Sequence, residues 1–113
     1  MHEMSLAQGV LQVIQDSARD RRFARVRRVW LEIGDLAGVE PDALRFCFDA
    51  VMRGSIAEGA ALDIVPAPGT AWCMECGRTV ALAALDDACP RCGGWQLQVN
   101  GGRELRVKEL EVE

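Results

Sequence analysis

Cys73-Met74-Glu75-Cys76-Gly77 and Cys89-Pro90-Arg91-Cys92-Gly93-Gly94, with twelve residues between Cys76 and Cys89, decide how this chain divides. Two residues between paired cysteines let both sulfurs reach one ion. The glycine after each pair relieves the turn where it needs a positive φ. Four thiolates form a closed tetrahedral site, the pattern of structural Zn(II). Iron in a four-sulfur site would use the same ligands, so the ion's identity stays open at this point. A thioredoxin-type redox pair calls for one such motif in a strand-to-helix setting, and neither pair has that setting. A closed site leaves no coordination position for substrate, so its role is structural rather than catalytic. An ion held there would fold some thirty residues that could not bury a core alone.

Outward from the knuckles, residues 70–99 carry cysteines, glycines and two tryptophans with little periodicity, and read as an inserted module. On one side, Ala61 to Val65 is a short strand stopped by Pro66 and Pro68. On the other, Leu105 to Val112 is a strand with Leu105 and Val107 on one parity and Leu110 and Val112 on the other. That switch requires a bulge near Lys108 and Glu109 or a strand covered on both faces. Further upstream, Ser5-Leu6-Ala7-Gln8 reads as a capping box for a helix from about Ser5 to Arg19, with Leu6, Val10, Val13, Ile14 and Ser17 at helical spacing. Val29, Leu31 and Ile33 alternate with Arg28, Trp30 and Glu32 in a half-buried strand ending at Gly34. Pro41 opens a second helix with Leu44, Phe48, Val51 and Met52 on its apolar face and Gly54 near its end. Cys47, on or near that face, reads as a small buried hydrophobe.

The predicted class is therefore α+β: a three-stranded sheet with two helices on one face, plus an inserted four-cysteine zinc-ribbon-like module. Residues 1–69 with 100–113 would form the α/β domain and residues 70–99 the metal module. A sheet edge and a flexible cysteine module would permit strand or domain exchange, and with it a homodimer.

The 113 residues suit one domain with a small metal-stabilised addition, and half of them are apolar, enough for a packed core. A net charge of −4 argues against nucleic acid as the main partner. The arginines at 19, 21, 22, 25, 27 and 28 read as a solvated helix end and an exposed strand face. No apolar run is long enough to cross a membrane, and charged residues break every short apolar stretch near the start. The expected location is the cytoplasm, where thiols stay reduced. No nucleophile–base pair and no phosphate-binding loop is present, and His2 is the single histidine, so no enzyme is expected.

Met1-His2-Glu3 is the second chemical feature. The Met1 amine, the His2 amide and the His2 ring can close fused chelate rings around one ion. Nitrogen-rich tetragonal sites suit Ni(II) or Cu(II), and the residues do not rank one above the other. Chain ends more often carry no function, and a zinc-ribbon adaptor for protein or nucleic acid is the alternative reading of the whole chain.

The start Met1-His2-Glu3-Met4-Ser5, Glu32-Ile33-Gly34 at the end of the first strand, and the knuckles at Cys73, Cys76, Cys89 and Cys92 together resemble the HypA/HybF family of hydrogenase maturation factors. The resemblance covers the whole chain. It implies a nickel metallochaperone that helps deliver Ni(II) to the large subunit of [NiFe]-hydrogenase with a HypB-type GTPase, and in some cases serves urease. It implies His2 as nickel ligand, assisted by the Met1 amine and by Glu3, and Zn(II) on the four cysteines. A further donor drawn on by some relatives would fall here to an acidic side chain such as Glu40 or Asp35.

Overall fold

The computed structural model describes residues Glu3–Glu113 and holds eight elements. They are α1 (Glu3–Arg21), β1 (Val26–Gly34), α2 (Pro41–Met52), β2 (Ala61–Ala67), β3 (Thr70–Cys73), β4 (Arg78–Ala81), β5 (Leu97–Gly101) and β6 (Leu105–Val112). The strands form two three-stranded sheets, in the orders β2-β1-β6 and β4-β3-β5. The chain divides into two units. One takes in the chain up to Glu32, Val39–Val65 and Arg106–Glu113; the other takes in Ile33–Gly38 and Pro66–Leu105.

In the first unit α1 buries Ala7, Val10 and Ile14 at the spacing of one helical face. Helix α1 begins at Glu3, two residues before the expected start, so Ser5 lies inside it and caps nothing. An acidic residue in the first turn favours the longer helix, because carboxylates interact well with the N-terminal end of the helix dipole. Arg22, at φ 58°, turns the chain out of the helix while its N–H still reaches the Ala18 carbonyl at 2.7 Å. Helix α2 starts as expected at Pro41, and Glu40 caps it by accepting from the Asp42 N–H at 3.0 Å. Leu44, Phe48 and Met52 are buried, whereas Cys47 is half-buried and Phe46 is 75% exposed. The two helices pack on each other over the face of the sheet that presents Val29 and Leu31.

The β2-β1-β6 sheet is mixed. Its opposite face is polar: Arg28 bonds Asp63 at 2.7 Å and lies over the Trp30 ring, while Arg106 pairs with Glu32. Arg19 pairs with Asp16 and Arg27 with Glu113, so much of the basic run is neutralised within the chain. Strand β2 continues through Pro66 because it is an edge strand, where a missing N–H costs no ladder bond. In β6 the half-buried positions are Leu105, Val107 and Leu110, with Lys108 and Glu109 consecutively exposed. The alternation slips by one residue there, and no residue of β6 is fully buried. The same slip occurs in β1, where exposed Arg27 and half-buried Arg28 separate buried Val26 from buried Val29.

In the second unit β3 pairs antiparallel with both β4 and β5. These strands are too short and mixed in composition to announce themselves by periodicity. Leu36 packs with Ala71 and Leu82, and Leu97 and Val99 lie against that cluster. This packing brings backbones very close. The Leu36 N–H bonds the Gly102 carbonyl at 2.7 Å, and a Cβ at Gly34 would lie 1.9 Å from the same oxygen. Glycine at 34 is thus a steric requirement. Gly34→Ala should lower unfolding free energy by about 3 kcal/mol, at the upper end for overpacking against backbone, measured by urea denaturation of the metal-loaded chain.

Candidate metal centre

The first knuckle is the turn of the β3–β4 hairpin, since Cys73 ends β3 and pairs with Arg78 at the start of β4. The second knuckle ends just before β5, whose Leu97 pairs with Cys73 from the other side. Both knuckles therefore meet at one end of the β4-β3-β5 sheet. They share one geometry. The Gly77 N–H bonds the Cys73 carbonyl at 2.8 Å and the Gly93 N–H bonds the Cys89 carbonyl at 2.9 Å. Both glycines have positive φ, 63° and 74°, which a residue with a Cβ would adopt only at a cost.

The four sulfurs lie within 4.8 Å of one another, with Cys73 to Cys92 at 3.7 Å and Cys76 to Cys89 at 3.9 Å. A tetrahedron with metal–sulfur bonds of about 2.3 Å has sulfur–sulfur edges of about 3.8 Å. The donor set therefore fits one tetrahedral ion. The Cys76 N–H points at Cys73 Sγ and the Gly94 N–H at Cys92 Sγ, each at 3.4 Å, which would stabilise negative sulfur. Cys73 and Cys89 are buried with Val80, while Cys92 is exposed.

Without an ion the surroundings set these thiols apart, favouring the thiolate at Cys89 and opposing it at Cys92. Backbone N–H groups from Cys92 and Arg91, against the effect of burial, bring Cys89 down to about 7. The Gly94 N–H favours the Cys92 thiolate, but burial and the three neighbouring sulfurs outweigh it and push Cys92 up to about 12. A bound cation would favour the thiolate form of the ligands, so binding releases protons. One neighbour is not evident from the knuckle spacing: Glu75 Oε2 lies 3.5 Å from Cys92 Sγ. Its position inside the first knuckle was the available signal. Among the described residues, these cysteines are the one group of three or more metal-ligating side chains brought together.

Of the N-terminal set, Met1 and His2 lie outside the described residues. Glu3 opens α1, and its Oε2 accepts the Glu40 N–H at 3.1 Å. Glu40 in turn caps α2 through Oε1, so the Glu3 carboxylate reaches the backbone of the residue that caps α2. Asp35 belongs to the second unit, where its N–H bonds the Ala67 carbonyl at 2.8 Å.

The model of a family described as hydrogenase/urease nickel incorporation, metallochaperone, hypA matches residues 1–112. The chain is 66% identical over its full 113 residues, and the full length of the relative, to the hydrogenase maturation factor HypA of Albidiferax ferrireducens. It is 58% identical, again over the whole of both chains, to the factor of that name from Azotobacter vinelandii. Among solved structures, the solution structure of the Ni metallochaperone HypA from Helicobacter pylori superposes with a TM-score of 0.73 over 99% of this chain and 97% of that one, at 23% identity.

Cys73→Ser should abolish retention of the ion, since serine offers no soft anionic ligand near neutral pH. Chelator challenge should find a single tightly held ion per chain in the parent and none in the variant. The amides of β3, β4 and β5 should lose hydrogen-exchange protection together.

Proposed function

Because this chain belongs to the HypA family of nickel-incorporation metallochaperones, we propose that it carries Ni(II) at its N-terminus and hands it on during the maturation of [NiFe]-hydrogenase. In this reading Ni(II) is cargo, and His2, the Met1 amine and Glu3 are the residues that take it up. The ion on Cys73, Cys76, Cys89 and Cys92 is Zn(II), resident and structural. The proposed division of labour assigns nickel to residues 1–69 with 100–113 and zinc to residues 70–99. The proposed partners are a HypB-type GTPase and the hydrogenase large subunit, in the cytoplasm, with urease as a further client. No catalytic step is assigned to the chain. No helix among the described residues is long and apolar enough to cross a membrane.

The observation that carries the reading is the tie between Glu3 and Glu40. His2 directly precedes a residue whose side chain is engaged by the cap of α2. An acidic residue directly after His2 that is held to the cap of α2 supports uptake of a divalent cation at this end of the chain better than an unanchored Glu3 would. It also offers Glu40 as the further acidic donor, in preference to Asp35, which lies in the other unit.

Reversible carriage follows from the donors. An amine with a pKa of about 7.7–8.0 and an imidazole near 6.5 hold protons that compete with the metal in the physiological range. Both donors must lose a proton to bind, so affinity rises with pH and falls as pH drops through these values. Calorimetric titration of Ni(II) into zinc-loaded chain with a native N-terminus should give micromolar or tighter binding near pH 8. At pH 6 the affinity should be at least about tenfold weaker, since each donor then adds its own proton competition. His2→Ala should abolish the binding, and equal binding by both chains would return the N-terminus to an ordinary chain end. Glu40→Gln separates the donors: it should weaken nickel binding several-fold while leaving zinc content unchanged.

A further inference from the structure

The four sulfurs of the metal centre are not equally covered. Cys73 and Cys89 are buried with Val80, and Cys76 and Leu97 pack against them. Cys92 is exposed, and the two residues that follow it, Gly93 and Gly94, carry no side chains to shield it. The side chain that stands against this sulfur comes from the other knuckle and is a carboxylate, with Glu75 Oε2 3.5 Å from Cys92 Sγ. The sulfurs themselves approach to 3.7 and 3.9 Å, so this oxygen stands from Cys92 at the spacing of one ligand atom from another.

Local packing leaves room for this carboxylate. Gly77 and Gly93 have positive φ but Gly94 does not, so space rather than backbone conformation calls for glycine at 94. A Cβ there would lie 2.5 Å from Glu75 Oε2 and 3.2 Å from Cys92 Sγ, and would drive the carboxylate off the sulfur. Charge alone does not account for Glu75 in this place. Four thiolates around a divalent cation already carry net negative charge, and a further anion beside them is repelled. The other polar neighbours of these sulfurs are N–H groups, from Cys76 and Gly94, which suit an anionic ligand set. What a carboxylate can do that an N–H cannot is ligate, since Glu oxygen is among the ordinary ligands of Zn(II).

We propose that Glu75 is a reserve ligand of the four-cysteine centre, placed to take the coordination position of Cys92 when that exposed sulfur is withdrawn. Glu75 is not one of the four residues whose ligand atoms gather within 4.8 Å, so it stands by while every sulfur is in place. In the exchange one metal–sulfur bond gives way to one metal–oxygen bond, the freed sulfur takes a proton from water, and no oxidation state changes. Three sulfurs and one oxygen then hold the ion, and the β4-β3-β5 sheet keeps the constraint that folds it. Cys73 has no such arrangement, because its packing neighbours Val80 and Leu97 are apolar. This role requires an ion on the four cysteines and does not depend on nickel at the N-terminus.

Co(II) is the probe, because its thiolate charge-transfer absorption counts sulfur ligands and is blind to an ion on nitrogen and oxygen donors at the N-terminus. It is exchanged into the full chain as the parent, Cys92→Ala, Glu75→Gln, the variant carrying both changes, and Cys73→Ala. Cys92 is exposed, so alanine there opens no cavity. Cys92→Ala should still hold one ion, with about three quarters of the parental charge-transfer absorption as three of four thiolates remain. Cys73→Ala should hold none. In competition with a chelator, Glu75→Gln should change the affinity of the parent little, yet weaken that of Cys92→Ala by at least about tenfold, the scale of losing a ligand or its close support. Equal affinity of Cys92→Ala with and without Glu75 overturns the proposal and leaves the carboxylate as an acceptor for the Cys92 S–H. Failure of Cys92→Ala to hold the ion, or equal retention by Cys73→Ala, also overturns it.

Discussion

Everything in the second unit depends on four sulfur atoms sharing one small volume. The β4-β3-β5 sheet has strands of four or five residues, with a core of little more than Leu36, Ala71 and Leu82 around its middle and Val80 at the knuckles. So little apolar surface cannot offset the entropy of ordering about forty residues. A cation bound by four thiolates can, because its binding free energy becomes folding free energy. The same requirement explains the local details: positive-φ glycines after each pair, N–H groups aimed at sulfur, and an ionisation pattern in which one thiol gives up its proton readily while another resists.

The first unit rests on a different constraint. Its sheet has a buried face under two helices and a polar face, and the alternation of burial slips by one residue in both β1 and β6. Arg28 with Asp63, Arg106 with Glu32 and Arg27 with Glu113 use the polar face and its margin for cross-strand charge pairing. Exposed pairs of this kind contribute little to stability. With the Arg19–Asp16 pair, their clearer consequence is that three of the six arginines between Arg19 and Arg28 are matched by carboxylates within the chain. The acidic chain thus has less to offer a phosphate backbone than its arginine count suggests.

The helices, β1, β2 and β6 were legible because each carries enough residues to show a period. Leu44, Phe48 and Met52 identified the inner face of α2, and Pro41 its start. Ser5 misled because a good capping residue was present, while the acidic Glu3 before it extended the helix. Strands β3, β4 and β5 were hidden: four or five residues cannot establish an alternation, and the sequence around them is dominated by knuckle residues. The association of Leu36 with Ala71 and Leu82 was also hidden, since nothing local marks a leucine in a turn as belonging to a sheet more than thirty residues away. At the metal centre the four ligands were evident from spacing, but the approach of Glu75 to Cys92 was not.

By itself the sequence determined the ligands, the turns and the apolar faces, because sulfur spacing, glycine conformational freedom and helical periodicity are local properties. Only the tertiary structure decided that the two knuckles meet at one sheet end, that Glu3 reaches the cap of α2, and that Gly34 lies against the Gly102 carbonyl. Those outcomes join residues far apart in the chain. They are fixed by which surfaces can be buried together once the local elements exist, a condition that no single segment contains.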